Sequence, residues 1–183
     1  MAARRSMGRI QPANAAVWCS AGARPRQVRV PMASFAPGFR SVSNQVHCDH
    51  ERLIDDLSEL GDALDDLSGC SEKFAYRAAA ERVSRCGQRL SQILPEHFLR
   101  EETSLLDTIA KVSPELAEFA REMRSQHITL RNRLGEFCTA VQKLEHAGDY
   151  GDAVSSVNDS GRSLITEVRE HVVLEETELD GFL

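Results

Sequence analysis

No run of apolar residues in this 183-residue chain approaches the ~18–20 positions that a membrane-spanning helix needs, which excludes a transmembrane protein. No two cysteines stand as C-x-x-C. The five present (Cys19, Cys48, Cys70, Cys86 and Cys138) are odd in number and widely spaced. Neither a disulfide framework nor a thiolate zinc site is therefore indicated, and a reducing, cytoplasmic setting is expected. Also missing are a P-loop, a Rossmann fingerprint, a G-x-S-x-G elbow and an H-E-x-x-H zincin pair. Acids are absent from residues 1–44, which carry seven arginines (Arg4, Arg5, Arg9, Arg24, Arg26, Arg29 and Arg40). The net charge of −6 for the whole chain thus leaves residues 45–183 at −13. So acidic a body has no general attraction for polyanions, and neither nucleic acid nor a membrane is expected as a partner.

What is present divides in two. Residues 1–44 hold Pro12, Pro25, Pro31 and Pro37 and show no sustained helical period. They read as a segment outside the fold, either an organellar transit peptide that would direct import or the product of a start placed too early, with Met32 as the true start. From residue 45 to 183 glycine and proline fall away and apolar residues recur at three and four, the pattern of an all-α domain. Helix 1 is expected over about 44–68, with His50, Leu53, Leu57, Leu60, Leu64 and Leu67 on one seam. Helix 2 is expected over about 72–111, kinked by Pro95, with Val83, Cys86, Leu90, Leu94, His97, Glu101 and Leu105 inward. Ser113-Pro114-Glu115 starts helix 3 as N-cap, first-turn proline and first-turn acid, and the helix then runs to about 146 with Leu116, Ala120, His127, Leu134, Phe137, Val141 and Leu144 inward. Helix 4 follows over about 152–180, with Val154, Val157, Leu164, Val168, His171, Glu175 and Leu179 inward. Four long helices joined by short turns pack as an antiparallel up-down-up-down bundle.

Two of these helices carry matching segments, HFLREETSL (97–105) and HVVLEETEL (171–179). The other two share His-x-x-Leu, at His50–Leu53 and His127–Leu130. The chain reads as one helical hairpin used twice. In each H-x-x-x-E the imidazole and the carboxylate stand one turn apart on one face, so both can reach one metal centre. In an antiparallel hairpin, residues at one level are equidistant from the turn. The midpoints of successive histidines, 73.5, 112 and 149, fall within a few residues of the turns read at 68–71, 112–114 and 147–152. Four histidines therefore lie at about one level, with Glu101 and Glu175 a turn away. Six such groups facing an apolar core without partners would be costly. Imidazole and carboxylate without thiolate suit iron, manganese or zinc, and a ferritin-like site would use E-x-x-H pairs instead.

The pattern H…H-x-x-x-E…H…H-x-x-x-E, with separations of 47, 30 and 44, resembles the hemerythrin-like (HHE cation-binding) family over residues 45–183. In spacing it looks most like the di-iron domain of the repair-of-iron-centres proteins and the iron-sensing hemerythrin-like domains. The resemblance implies a non-haem site with two iron ions, His50, His97, His127 and His171 as terminal ligands, and Glu101 and Glu175 bridging. Four neutral imidazoles and two carboxylates leave a diferric pair strongly positive, and an oxo or hydroxo bridge is expected to lower that charge. Oxygen-carrying hemerythrins place a fifth histidine one turn after the helix-3 ligand, where this chain has Arg131.

Other polar residues have ordinary readings. His47, one turn before His50, is either a spare ligand or a solvated helix-start residue. His146 suits the negative end of the helix 3 dipole. Cys48 faces away from the core. Glu102 and Glu176 read as surface acids, although Glu175 and Glu176 can exchange roles. Arg131 cannot ligate a cation and is expected to turn towards Glu102 or Glu176. Two functions follow, both relying on the same six residues. One is a binding or sensing protein for oxygen, nitric oxide or iron, the small diatomic ligand being its partner. The other is a di-iron oxidoreductase acting on peroxide, nitric oxide or ferrous iron, or an iron-centre repair protein, with a role in stress response.

Overall fold

The computed structural model describes residues 38–70, 73–146 and 150–182, and among these the apolar period is realised as helix with no strand. The elements are α1 (Phe39–Gly69), α2 (Lys73–Arg100), a π-helical turn (Glu101–Leu106), the short α3 (Asp107–Ile109), α4 (Pro114–Glu145) and α5 (Tyr150–Phe182). Because α2, the π-helical turn and α3 run on without a break, the molecule has four rods. α1 packs on α2 and α5, and α4 packs on the same two. This is the ring of an all-α, antiparallel up-down-up-down four-helix bundle.

Local chemistry explains the boundaries. The side chain of Ser113 accepts a hydrogen bond from the Leu116 backbone N–H, and Pro114 occupies the first turn, where its missing N–H costs nothing. His146 ends α4 with its ring nitrogen 2.8 Å from the Gln142 carbonyl. The residues expected inward on the four rods are buried, except that Val154 on α5 is only half-buried. Each fully buried leucine among them contributes roughly 1.5–3 kcal/mol of transfer free energy. α5 comes close to the core at Gly161, where a Cβ would lie 2.8 Å from Leu64 Cδ1 and 3.1 Å from Phe137 Cε2.

Two expectations need correction. The fold does not begin after residue 44: α1 starts at Phe39, whose ring is buried with Val46 against Leu105, Leu116 and Leu179. The part of the expected leader that precedes Gly38 lies outside the described residues, as do Ser71 and residues 147–149 of the expected turns. The second correction concerns helix 2. It holds Pro95 in its interior as expected, but it is not one unbroken α-helix, since a π-helical turn falls six residues after the proline.

Candidate metal centre

Each rod sends inward the residues whose spacing put them at one level. His50 comes from α1, His97 from α2, Glu101 from the start of the π-helical turn, His127 from α4, and His171 and Glu175 from α5. They are the buried polar side chains of the described core, none more than 4% exposed. The six meet between two apolar clusters. One is built on Leu57, Leu60, Leu64, Leu90, Phe137 and Leu164, the other on Phe39, Leu105, Leu106, Leu116 and Met123.

Glu101 organises the centre. Its Oε1 lies 2.8 Å from His97 Nε2 and 3.2 Å from His50 Nε2, while its Oε2 lies 3.1 Å from His127 Nε2. One carboxylate thus serves two histidine pairs through different oxygens. The coordinates accordingly contain two overlapping groups of donors close enough to hold an ion, His50–His97–Glu101 and Glu101–His127–His171. Glu175 touches both halves, its Oε2 3.4 Å from His50 Nε2 and 3.8 Å from His171 Nε2.

The outer nitrogens of the rings explain why the inner ones suit a cation. His127 Nδ1 is 2.9 Å from Glu102 Oε1, His171 Nδ1 is 2.9 Å from Gln126 Oε1, and His50 Nδ1 is 3.2 Å from Glu176 Oε1. These oxygens only accept, so each Nδ1 carries the hydrogen and each neutral ring has its bare lone pair at Nε2. His127 Nε2 and His171 Nε2 nevertheless face each other at 3.2 Å. Two neutral rings oriented in this way cannot hydrogen-bond to one another, whereas a cation between them satisfies both. Several inward atoms lack a hydrogen-bond partner altogether: His97 Nε2, Glu101 Oε2 and both oxygens of Glu175. The 2.8 Å approach of His97 Nε2 to Glu101 is therefore a close contact without hydrogen-bond alignment. Groups that converge but do not bond fit a metal ion.

Charge follows the same geometry. Burial disfavours a charged His50, but the carboxylates of Glu101 and Glu175 beside it outweigh that cost and push its pKa up to about 10. Burial takes His171 down to about 3. Glu101, although buried, is held well below the usual carboxylate range by the imidazoles of His127, His50 and His97 that crowd its two oxygens. Glu175 is raised by its burial and by the neighbouring Glu101 charge. Without metal the centre therefore favours one buried ion pair, His50 with Glu101, over several uncompensated charges.

The remaining sequence candidates also find places. Glu175 is the inward member of its pair, and Glu176 is half-exposed behind His50. Arg131 turns to Glu102, its guanidinium 3.0 Å from Oε1 and 5.4 Å from the centre of the Phe98 ring. The partner of Glu176 is His47, at 2.9 Å, which places His47 outside the centre. Cys48 is exposed. Sequence reasoning missed Phe98, which stacks on His127 with ring centres 4.3 Å apart, and Gln126, the acceptor for His171. Their signal was adjacency, since each directly neighbours a ligand-type histidine in the chain. His97 is the exception, with no acceptor at Nδ1 among the described residues. The residue placed like Gln126 in the other half is Asp49, which is bound instead by Arg100 at 2.9 Å.

A bundle of this topology with two H-x-x-x-E rods facing two histidine rods defines a class of cation-binding protein. The family model of the hemerythrin HHE cation-binding domain matches residues 41–182, and the chain belongs to that family. Neither the curated proteins nor the solved structures give a match to it.

Proposed function

We propose that the chain holds two iron ions and uses them to bind or sense a small ligand such as oxygen or nitric oxide, or iron itself. The single observation that carries this reading is the division of Glu101 between two histidine pairs. One ion would be held by His50, His97 and Glu101 Oε1, and a second by His127, His171 and Glu101 Oε2, with Glu175 within reach of both. Iron is preferred because the donors are imidazole and carboxylate with no thiolate among them. Such a pair supplies reversible ligand binding and a charge that changes with oxidation state. The protein excludes bulk water by burying all six donors, and fixes the rings through Glu102, Gln126 and Glu176.

Arg131 favours a second reading, an oxidoreductase acting on peroxide, nitric oxide or ferrous iron. It stands where a fifth histidine would give a ligand, and a guanidinium cannot fill a coordination position. The test is metal analysis of protein produced with iron, followed by anaerobic spectra on addition of oxygen, peroxide or nitric oxide. Two iron ions per chain and a stable ligand spectrum are expected. Steady consumption of the added molecule would favour the enzyme. Iron at less than about a tenth of an equivalent, far below what a closed site of this donor set retains, would overturn both readings.

A further inference from the structure

The two halves of the centre are alike inside and unlike outside. Behind His127 stands Glu102, and its carboxylate is held by Arg131 at 3.0 Å. Behind His50 stands Glu176, held at 2.9 Å by the imidazole of His47. The first outer group is a permanent cation that cannot ligate and repels an approaching dication. The second is an imidazole, 62% exposed at its side chain, whose Nε2 also lies 3.9 Å from Glu51. On this side a cavity of about 280 Å³ lies between Asn44, His47 and Glu176 and reaches His50. His50 has one ring nitrogen on Glu176 at this cavity and the other at 3.2 Å from Glu101 in the centre, so a single imidazole separates the cavity from the donors.

We infer that His47, Glu51 and Glu176 form the entrance through which a divalent transition-metal ion reaches the centre, with His50 as the ligand that hands it inward. The inference rests on the reading that the six buried residues hold metal. A hydrated dication drawn to the acidic body meets two carboxylates and an imidazole at this mouth, and exchanges water for those donors. In the other half the corresponding carboxylate, Glu102, is already engaged by the Arg131 guanidinium, which repels an incoming dication. A swing of the His50 ring then connects the cavity to Glu101 and Glu175. No electron or covalent bond changes hands, and only water and protein donors are exchanged around the ion.

The test is the rate at which metal-free protein takes up Co²⁺, followed by its visible absorbance in a stopped-flow instrument, together with the final cobalt content. His47→Ala is expected to slow loading on the order of tenfold, the lower end of what focusing by charge and ligand groups contributes, and to leave final content and spectrum unchanged. Asn44→Trp, which fills the cavity mouth without touching a donor, is expected to slow loading as well. Loading by either variant at the wild-type rate or faster would overturn the entrance. A changed final spectrum in His47→Ala would also overturn it, because it would make His47 a support for Glu176. Failure of the underlying reading is distinguishable, since wild-type protein would then take up no cobalt at all.

Discussion

An imidazole serves a metal well when its bare nitrogen is aimed and its other nitrogen is held, and three of the four histidines here meet both conditions. The clearest case is His171, held by the neutral acceptor Gln126 at 2.9 Å. Gln126→Leu keeps much of the volume and removes the acceptor. It is expected to lower metal affinity by about 10–100-fold, the usual cost of losing such an outer partner, measured by competition with a chelator. Unchanged affinity would show that packing alone orients the ring. The same groups set how the metal-free protein responds to pH. His50, with a folded pKa of about 10 against an ordinary 6.5, keeps a proton that the unfolded chain has lost. Its contribution is complete below pH 6.5 and is lost as pH rises through about 10. His171, at about 3, refuses a proton that the unfolded chain accepts, so its contribution falls away as pH drops from 6.5 through about 3. Glu101, held low, is lost in the same acid direction, whereas Glu175, held high, opposes His171 above pH 4.5. Thermal midpoints in chelator should therefore fall as pH rises from 6.5 towards 10, and fall again below 4.5. In metal-loaded protein the alkaline decline should vanish, because the metal replaces the proton on His50. That these six residues face inward at one level was legible in the sequence, because inward spacing and polar chemistry coincide at them. Gln126 and Phe98 were not, because which side chain backs a ring depends on the rotation of the neighbouring helix, and no single-helix pattern contains that information.

Helices are placed by their apolar stripes, and their ends are placed by what the last turns can bury. This is why the interior of every rod was readable and the start of α1 was not. Phe39, Val42 and Val46 continue the stripe upstream of His50, but they follow an arginine- and proline-rich stretch whose composition masks three apolar positions. Phe39 is 5% exposed and packs with the cluster at its end of the bundle. Phe39→Ala should destabilise the protein by about 3 kcal/mol, the lower end for a buried aromatic, read from the denaturant midpoint at constant slope. A chain beginning at Ser43 should show a similar loss, and one beginning at Gly38 should not. Equal stability of all three would mean that the first turn of α1 adds nothing. The π-helical turn was hidden for a different reason. Glu101 and Leu105 are four apart, which suits an ordinary α-helix, and only the burial of Leu106 beside Leu105 reports the wider turn. Arg124 steadies that turn, its guanidinium 2.6 Å from Asp107 Oδ1 and 3.4 Å from the Glu102 carbonyl. Irregular backbone thus lies where Glu101 must divide its two oxygens between different rods.

At the scale of the whole molecule, the metal centre is a polar layer across an apolar bundle. Among the described residues the larger cluster, on the Leu64 and Phe137 side, has 22 buried members and the smaller, on the Phe39 and Leu116 side, has 10. Cooperativity between them must pass through six donors, which in the metal-free state include converging lone pairs and unpartnered carboxylate oxygens. Metal held by these residues would link all four rods at that level, since each rod carries at least one of them. Loading should therefore stabilise the molecule by about 4 kcal/mol at a thousandfold excess over the dissociation constant. The gain should also be uneven, because the smaller cluster has less apolar burial to hold it once the layer is loosened. Hydrogen exchange followed by mass spectrometry locates the effect. On removal of metal, residues 39–46 and 105–120 are expected to lose protection first, while residues 57–67 and 134–144 keep most of theirs. Uniform loss over both ends would mean that the bundle remains one cooperative unit without the ions. In that case the cost of the polar layer is borne by the fold as a whole, and the metal contributes affinity but no structural link between the two clusters.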